Sequence, residues 1–343
     1  MPLHEEELEA SDASFVAVRV ADFYSARKIA FAVHLRLGPG RYLRIFRAGE
    51  DFNEAELKSY EVDRGIRYVY FEAVYRPIYI KASAALMQRI SSLAGVPLKK
   101  KFGMARVLSE LYLQELFLSD DDSRPDLIEK GKQICSLLAA WIDSEPNLES
   151  FLVRLEVIDP SVESLSFLTG IFSSLISRRF PWKSQRTTET LLLASFLSDL
   201  GLVALPPEVV KLRPRRMSEP QRRQFEKHPE ISYLLLQEMG ALHENVLLIV
   251  RQHHEYCDGS GFPHKLTSDK TLLLAKLVCL SGDLVRNASD YLLPPNDAAK
   301  MMFPVLSKKC FTSYPELVAK YDHDLLDAFF AIFGRDTREE EAA

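Results

Sequence analysis

A chain of 343 residues, 47% hydrophobic and 27% charged, is long enough for two domains and has the balance of a folded globular protein, which excludes collagen-like, mucin-like and wholly disordered readings. With 43 Lys and Arg against 48 Asp and Glu the formal net charge is -5, so no global basic field exists to hold nucleic acid or anionic lipid. Neither nucleic acid nor a membrane is expected as a partner, and any anionic ligand must meet a local site.

Cys135, Cys257, Cys279 and Cys310 lie far apart and form no C-x-x-C pair. That spacing argues against a disulfide framework and a zinc knuckle, and for reduced thiols in a cytoplasmic protein. The N-terminus, MPLHEEELEASDAS, is acidic and lacks a secretory pattern, and the run LLLAKLVCL (272–280) is too short to span a bilayer.

From Phe15 to about Ile80 the sequence alternates as strands do, in FVAVRVADF, AFAVHLRL, YLRIFRA and YVYFEAVYRPIYIK, with a hairpin turn expected at Gly38-Pro39-Gly40. One amphipathic stretch, NEAELKSYEVDRG, interrupts the strands as a helix stopping at Gly65. From Ser83 onward apolar residues fall at helical spacing, in ARVLSELYLQELF, LIEKGKQICSLLAAWI, ETLLLASFLSDL, ENVLLIVRQHHEY and LLLAKLVCLSGDLV. The expected fold is a small α+β domain over 1–119 followed by an all-α domain over 126–343. SDDDSRPD (119–126) is the expected linker, although the helices just before it fit either side. The tail RDTREEEAA is charged and expected to fray.

Chemistry concentrates after Leu191. An apolar helix delivers Asp199 at its end, and Gly201 with Pro206-Pro207 turns the chain at once. His228 opens a helix whose apolar stripe is read as Ile231, Leu234 and Leu235. In ENVLLIVRQHHEYCDGSGFP the stripe Val246, Ile249, Val250 continues at helical spacing to His253 and His254, where aliphatic residues would be expected. Asp283 ends the apolar part of a further helix. Each residue alone has a bland reading as a cap or surface group. Neutral imidazoles beside carboxylates in a low-dielectric interior together form a transition-metal site, because the metal offsets their desolvation.

The segments SDLGLVALPPEVV, HPEISYLL, HHEYCDGSGFP and SGDLV, in this order, resemble the HD-GYP subgroup of the HD superfamily. These are metal-dependent phosphohydrolases that cleave cyclic di-GMP. The resemblance is detailed over about 160–300 and extends over 126–335. It implies an HD-type helical fold, Asp199 bridging two metals, and a first metal position held by His228, His253, His254 and Asp199. The second position keeps only Asp199 and Asp283, unless Asp159, Glu163 or solvent completes it. The implied cofactor is one or two transition metal ions per chain, iron first and manganese next.

The departures matter as much as the matches. Ser198-Asp199 stands for a His-Asp doublet, Leu202 for a phosphate-contacting lysine, Phe262 for the tyrosine of a Gly-Tyr-Pro string, and DYLLPP for an Arg-rich segment. Ser161 and Leu165 stand where a Glu and a His ligand are expected. Glu255, Asp258, Gly259, Gly261, Phe262 and Pro263 form the implied substrate or partner loop, which in the family docks a diguanylate cyclase or another signalling protein. Two readings therefore stand: a cytoplasmic cyclic di-GMP phosphodiesterase weakened by lost contacts, and a catalytically impaired module that binds metal and senses cyclic di-GMP or docks a partner. The N-terminal half matches no catalytic motif and is read as a regulatory or interaction domain.

Overall fold

A computed structural model of the protein describes residues 7–23, 28–91, 93, 95–120, 122–155 and 159–334; the start of the acidic N-terminus and the charged tail lie outside them. The chain divides into two compact units, Met1–Glu115 and Leu116–Ala343.

The first unit is built on five antiparallel strands, β1 (Glu7–Glu9), β2 (Phe15–Arg19), β3 (Val33–Gly38), β4 (Arg41–Phe46) and β5 (Tyr68–Glu72), in the order β1-β4-β3-β5-β2. The Pro39-Gly40 turn joins β3 to β4 in the expected hairpin, with Leu35 opposite Leu43. Asp12 pins that turn, accepting from Gly40 N (3.0 Å) and Tyr42 Oη (2.7 Å) and pairing with Arg36. Helix α1 (Glu54–Arg64) stops at Gly65 in the left-handed conformation, where the polar, acidic run ends. Val16, Val18, Val33, Leu35, Val69 and Phe71 make the sheet's share of the core, and Leu57 and Tyr60 of α1 close over it.

One expectation fails in this unit. RPIYIK is not the continuation of a strand but the start of α2 (Arg76–Ser91). Its alternating aromatics mimic a strand, whereas the residues it buries, Arg76, Tyr79, Ser83, Met87 and Ile90, recur every three or four positions. Strand β1 sits inside the acidic N-terminal stretch, where three residues show no apolar alternation to read. Helix α3 (Leu98–Leu118) follows, and the division between units falls in its last turn.

The second unit is built of helices and loops among its described residues, with one isolated bridge between Asp258 and Thr267. It contains α4 (Arg124–Ser144), α5 (Leu148–Val153), α6 (Val162–Ser177), α7 (Gln185–Leu197), α8 (Pro207–Val210) and α9 (Glu219–Phe225). It continues with α10 (His228–Glu238), α11 (Glu244–Gln252), α12 (Leu273–Tyr291), α13 (Pro295–Met302), α14 (Lys309–Ser313), α15 (Pro315–Val318) and α16 (His323–Phe333). Helix α6 packs on both α7 and α12, and α11 packs on α7, α10 and α12. Thirteen of the sixteen residues of α6 are buried, from Ser164 to Ser177, which makes it the central helix of the unit. Gln185–Ala204 is long and apolar enough to cross a membrane by length and composition; 67% of its apolar window is buried inside the protein, as in a core helix. All four cysteines are free thiols, with Cys135, Cys279 and Cys310 buried.

Candidate metal centre

Three helix ends converge on one point. Helix α7 terminates at Ser198, whose hydroxyl donates to Ala194 O at 2.6 Å and closes the last turn, so Asp199 follows at the start of a 3-10 turn. His228 opens α10, His253 caps α11, and His254 comes next. Ser232 ties the first two elements together: its Oγ donates to Ser198 O at 2.7 Å and accepts from Gly201 N at 2.7 Å. This bond explains why the buried side of α10 is not the apolar stripe read from sequence. His228, Pro229, Ser232 and Leu236 face inward, while Leu234 is exposed.

The four side chains Asp199, His228, His253 and His254 each offer a ligand atom, and these atoms all lie within 4.8 Å of one another. His228 Nδ1 lies 2.7 Å from Phe225 O and His253 Nδ1 lies 2.7 Å from Val250 O. A carbonyl only accepts, so both Nδ1 atoms carry the proton and both Nε2 atoms present lone pairs. Those Nε2 atoms stand 3.3 Å apart, and His228 Nε2 stands 3.3 Å and His253 Nε2 4.0 Å from Asp199 Oδ1. Ligands held about 2.0–2.2 Å from one ion stand roughly 3–3.5 Å apart around it. Three acceptors thus face one another at nearly the spacing that a cation would impose.

Electrostatics agree with the donor set. Burial drives the His253 pKa down to about 3, with His228 adding to it, and burial pushes His254 well below the usual histidine range. Burial opposes the Asp199 carboxylate, yet His228, then His253 and Arg286, bring its pKa down to about 2. Near neutral pH Asp199 is a carboxylate and His253 and His254 are neutral imidazoles, the protonation states that bind metal.

Asp283 does not join this group. Its Oδ2 accepts from Tyr256 Oη (3.0 Å) and Tyr321 Oη (2.8 Å), and its Oδ1 accepts from Arg286 at 2.9 Å. Tyr321 lies 38 residues away in sequence, and no local pattern announces it.

The loop after His254 is braced from within. Glu255 is buried and accepts from His264 N (2.7 Å) and Leu266 N (2.8 Å), so it shapes the loop rather than facing a ligand. Asp258 makes a local turn by accepting from Ser260 N at 2.9 Å and Ser260 Oγ at 2.6 Å, and Gly259 is left-handed beside it. After Gly261, Phe262 N donates to His254 O, and the Phe262 ring stacks on the His254 imidazole with centroids 4.3 Å apart; Pro263 follows through a cis bond. The basic run 213–223 is tied down in part: Arg213 donates to Asp290 O at 2.8 Å and Arg215 lies over the Tyr291 ring.

Comparison with known proteins places this geometry. Residues 163–301 match the HD domain family. The chain is 28% identical over 139 residues to the cyclic di-GMP phosphodiesterase response regulator RpfG of Xanthomonas campestris pv. campestris, covering 38% of this chain and 34% of the relative. It is 25% identical over 156 residues to the cyclic di-GMP phosphodiesterase PA4108 of Pseudomonas aeruginosa, covering 45% and 37%. The chain therefore spans about a third of the length of the curated relatives it matches. In fold it is similar to Bd1817, an HDG"Y"P protein from Bdellovibrio bacteriovorus, with a TM-score of 0.70, 18% identity and coverage of 94% of this chain and 100% of that one.

Proposed function

From the premise that the helical unit is an HD-GYP domain, we propose that the chain is a metal-dependent phosphodiesterase acting on cyclic di-GMP in second-messenger signalling. The observation that carries this reading is the convergence of Asp199, His228, His253 and His254, with the Nε2 lone pairs of His228 and His253 turned toward each other and toward Asp199. These four residues would hold a transition metal, iron or manganese, which when bound supplies a Lewis acid for a phosphoryl oxygen and an acidified water.

The chain's own residues do the rest. The carbonyls of Phe225 and Val250 hold two imidazoles in one tautomer and orientation. The Asp199 side chain, 22% exposed, carries its negative charge to the open side of the centre and accepts a proton only in strong acid. Phe262 covers one face of the His254 ring and keeps water from it. The Gly-Phe-Pro loop is the proposed contact for a diguanylate cyclase or other signalling partner. The sheet unit is assigned a regulatory or interaction role, because among its described residues no His, Cys, Asp and Glu side chains gather as they do here.

A second reading, a metal-bearing module that senses cyclic di-GMP without cleaving it, is favoured by the engagement of Asp283 with Arg286 and two tyrosines. One experiment separates the two: metal content of protein prepared without chelator, measured beside hydrolysis of cyclic di-GMP by the same sample. The wild type is expected to carry at least one transition metal per chain and to open the cyclic dinucleotide. His253→Ala/His254→Ala is expected to lose metal and turnover together while keeping its helical circular dichroism. Metal and cyclic di-GMP binding with no product selects the sensor reading, and metal content unchanged in the double variant refutes the ligand set.

A further inference from the structure

Beside the four-residue centre lies a positive charge that no ligand pattern anticipates. Arg286 projects from α12 so that its Nη2 stands 2.9 Å from Asp283 Oδ1 and 3.4 Å from His254 Nδ1. Its guanidinium rests against the bare Cα of Gly282, one turn earlier on the same helix. A Cβ there would meet Nη1 at 3.0 Å, Nη2 at 3.1 Å and Cζ at 3.3 Å. Any other residue at 282 would displace the guanidinium by a few tenths of an ångström, so glycine there lets the arginine four residues later lie close along the helix.

Asp283 completes it. Three donors, the Arg286 guanidinium and the Tyr256 and Tyr321 hydroxyls, engage both its oxygens, and only 12% of its side chain is exposed. A second ion would have to take Asp283 from all three donors and then sit against a fixed guanidinium. Arginine stays charged under any ordinary condition, so this repulsion cannot be relieved by losing a proton. The Arg286 side chain is itself 27% exposed, more than twice as much as Asp283, so part of its fork remains open to a ligand.

We infer that Arg286 is the built-in second cation of this centre: it limits the site to one metal ion and presents its open face to a phosphate oxygen held between the guanidinium and that metal. The inference rests on the metal-centre reading above and adds to it the group that receives the phosphate. Guanidinium suits the task because its planar fork matches two oxygens of a phosphate, and a charge-assisted bond of this kind is among the strongest that a side chain makes.

The test uses the full-length chain, manganese alone as the metal and inorganic phosphate as the ligand. Bound manganese is counted by elemental analysis after desalting, and phosphate binding to the loaded protein is measured by calorimetry. The wild type is expected to saturate at one manganese per chain and to bind phosphate. Arg286→Met, which keeps length and removes charge, is expected to retain that one manganese and bind phosphate at least tenfold more weakly. Tyr314→Phe, an exposed change away from the centre, should match the wild type in both.

Phosphate affinity unchanged in Arg286→Met, or two manganese ions per wild-type chain, overturns the role of Arg286 and leaves the four-residue centre standing. No manganese in the wild type overturns both. If Arg286→Met fails to fold, Arg286→Lys replaces it: the charge is kept but the fork is lost, so one manganese and several-fold weaker phosphate binding are expected. Equal phosphate binding by Arg286→Lys and wild type refutes the fork.

Discussion

The turn after Asp199 packs so closely on α10 that position 201 has no room for a side chain. A Cβ on Gly201 would stand 2.7 Å from Ser232 N, 2.9 Å from Ser232 Oγ and closer still to His228 O. Two of these three are backbone atoms in the first turns of a helix and cannot rotate away. Reaching the 3.4 Å at which ordinary contact begins requires a retreat of 0.7 Å from Ser232 N and 0.5 Å from its Oγ. Overpacking of this kind costs about 1–3 kcal/mol, and in a unit of this size each kcal/mol lowers Tm by about 2–4 °C. Gly201→Ala should therefore melt roughly 2–12 °C below the wild type. The same retreat widens the 3.3 Å separation of His228 Nε2 from Asp199 Oδ1 and weakens the pair Gly201 N to Ser232 Oγ, so bound metal should fall as well. Gly240→Ala is the control: its φ is +62 and a Cβ there meets nothing within 4 Å, so it should cost about 1–2 kcal/mol of left-handed strain and leave metal content unchanged. Thermal unfolding by circular dichroism and elemental analysis of the same samples read both effects. Wild-type Tm and metal content in Gly201→Ala would refute the claim that this close approach sets the ligand spacing.

Two further outcomes follow from groups outside the ligand set. Burial lowers the pKa of His34, against the raising effect of its bond with the Tyr70 backbone. The unfolded chain takes up a proton at this position below a pH of about 6.5, whereas the folded chain resists it, so stability is full at higher pH and falls as pH drops through that value. Urea unfolding at pH 7.5 and 5.5 should show a smaller loss for His34→Gln than for wild type, and an equal loss would show that His34 does not contribute. Glu255→Ala removes the charged acceptor from two part-buried amides, those of His264 and Leu266, at about 1–3 kcal/mol each. Asp258→Ala removes only bonds to Ser260 in an exposed turn and should cost no more than about 1 kcal/mol. Denaturation midpoints that rank these two the other way would mean that Glu255 is not the loop's brace.

Periodicity made the fold readable wherever one face of an element is buried. Val246, Ile249 and Val250 lie on one side of α11, and the strands of the first unit alternate as far as Glu72. Reading failed where two periods coincide. Ile78 and Ile80 prolong the period-two alternation of β5 in sequence, but Tyr79, Ser83 and Met87 bury at helical spacing, and tertiary packing selected the helix. β1 carries no such signal, because three residues with Glu at both ends join the sheet through backbone pairing with β4 alone.

The centre was readable for a different reason: His253 and His254 occupy positions at which the stripe of α11 would place aliphatic residues, and a buried imidazole needs a partner. Asp283 carried the same kind of signal, a carboxylate on a buried helix face, and there the structure supplies a different partner. Local sequence distinguishes the two cases poorly, because Tyr256 lies 27 residues from Asp283 and Tyr321 38 residues away. The decisive information sits in a pair that looks unremarkable when read in order. Glycine at 282 opens the space and arginine at 286 fills it, so the cation beside His254 is a side chain. A centre that combines one metal with a fixed guanidinium differs chemically from one with two metals. The guanidinium neutralises phosphate charge without acidifying a water, so it assists binding of the substrate more than activation of the nucleophile. If Arg286 serves as proposed, weakened turnover with retained phosphate affinity is the behaviour to expect, on account of the pair at 282 and 286 as much as of the residues that differ at 198 and 202.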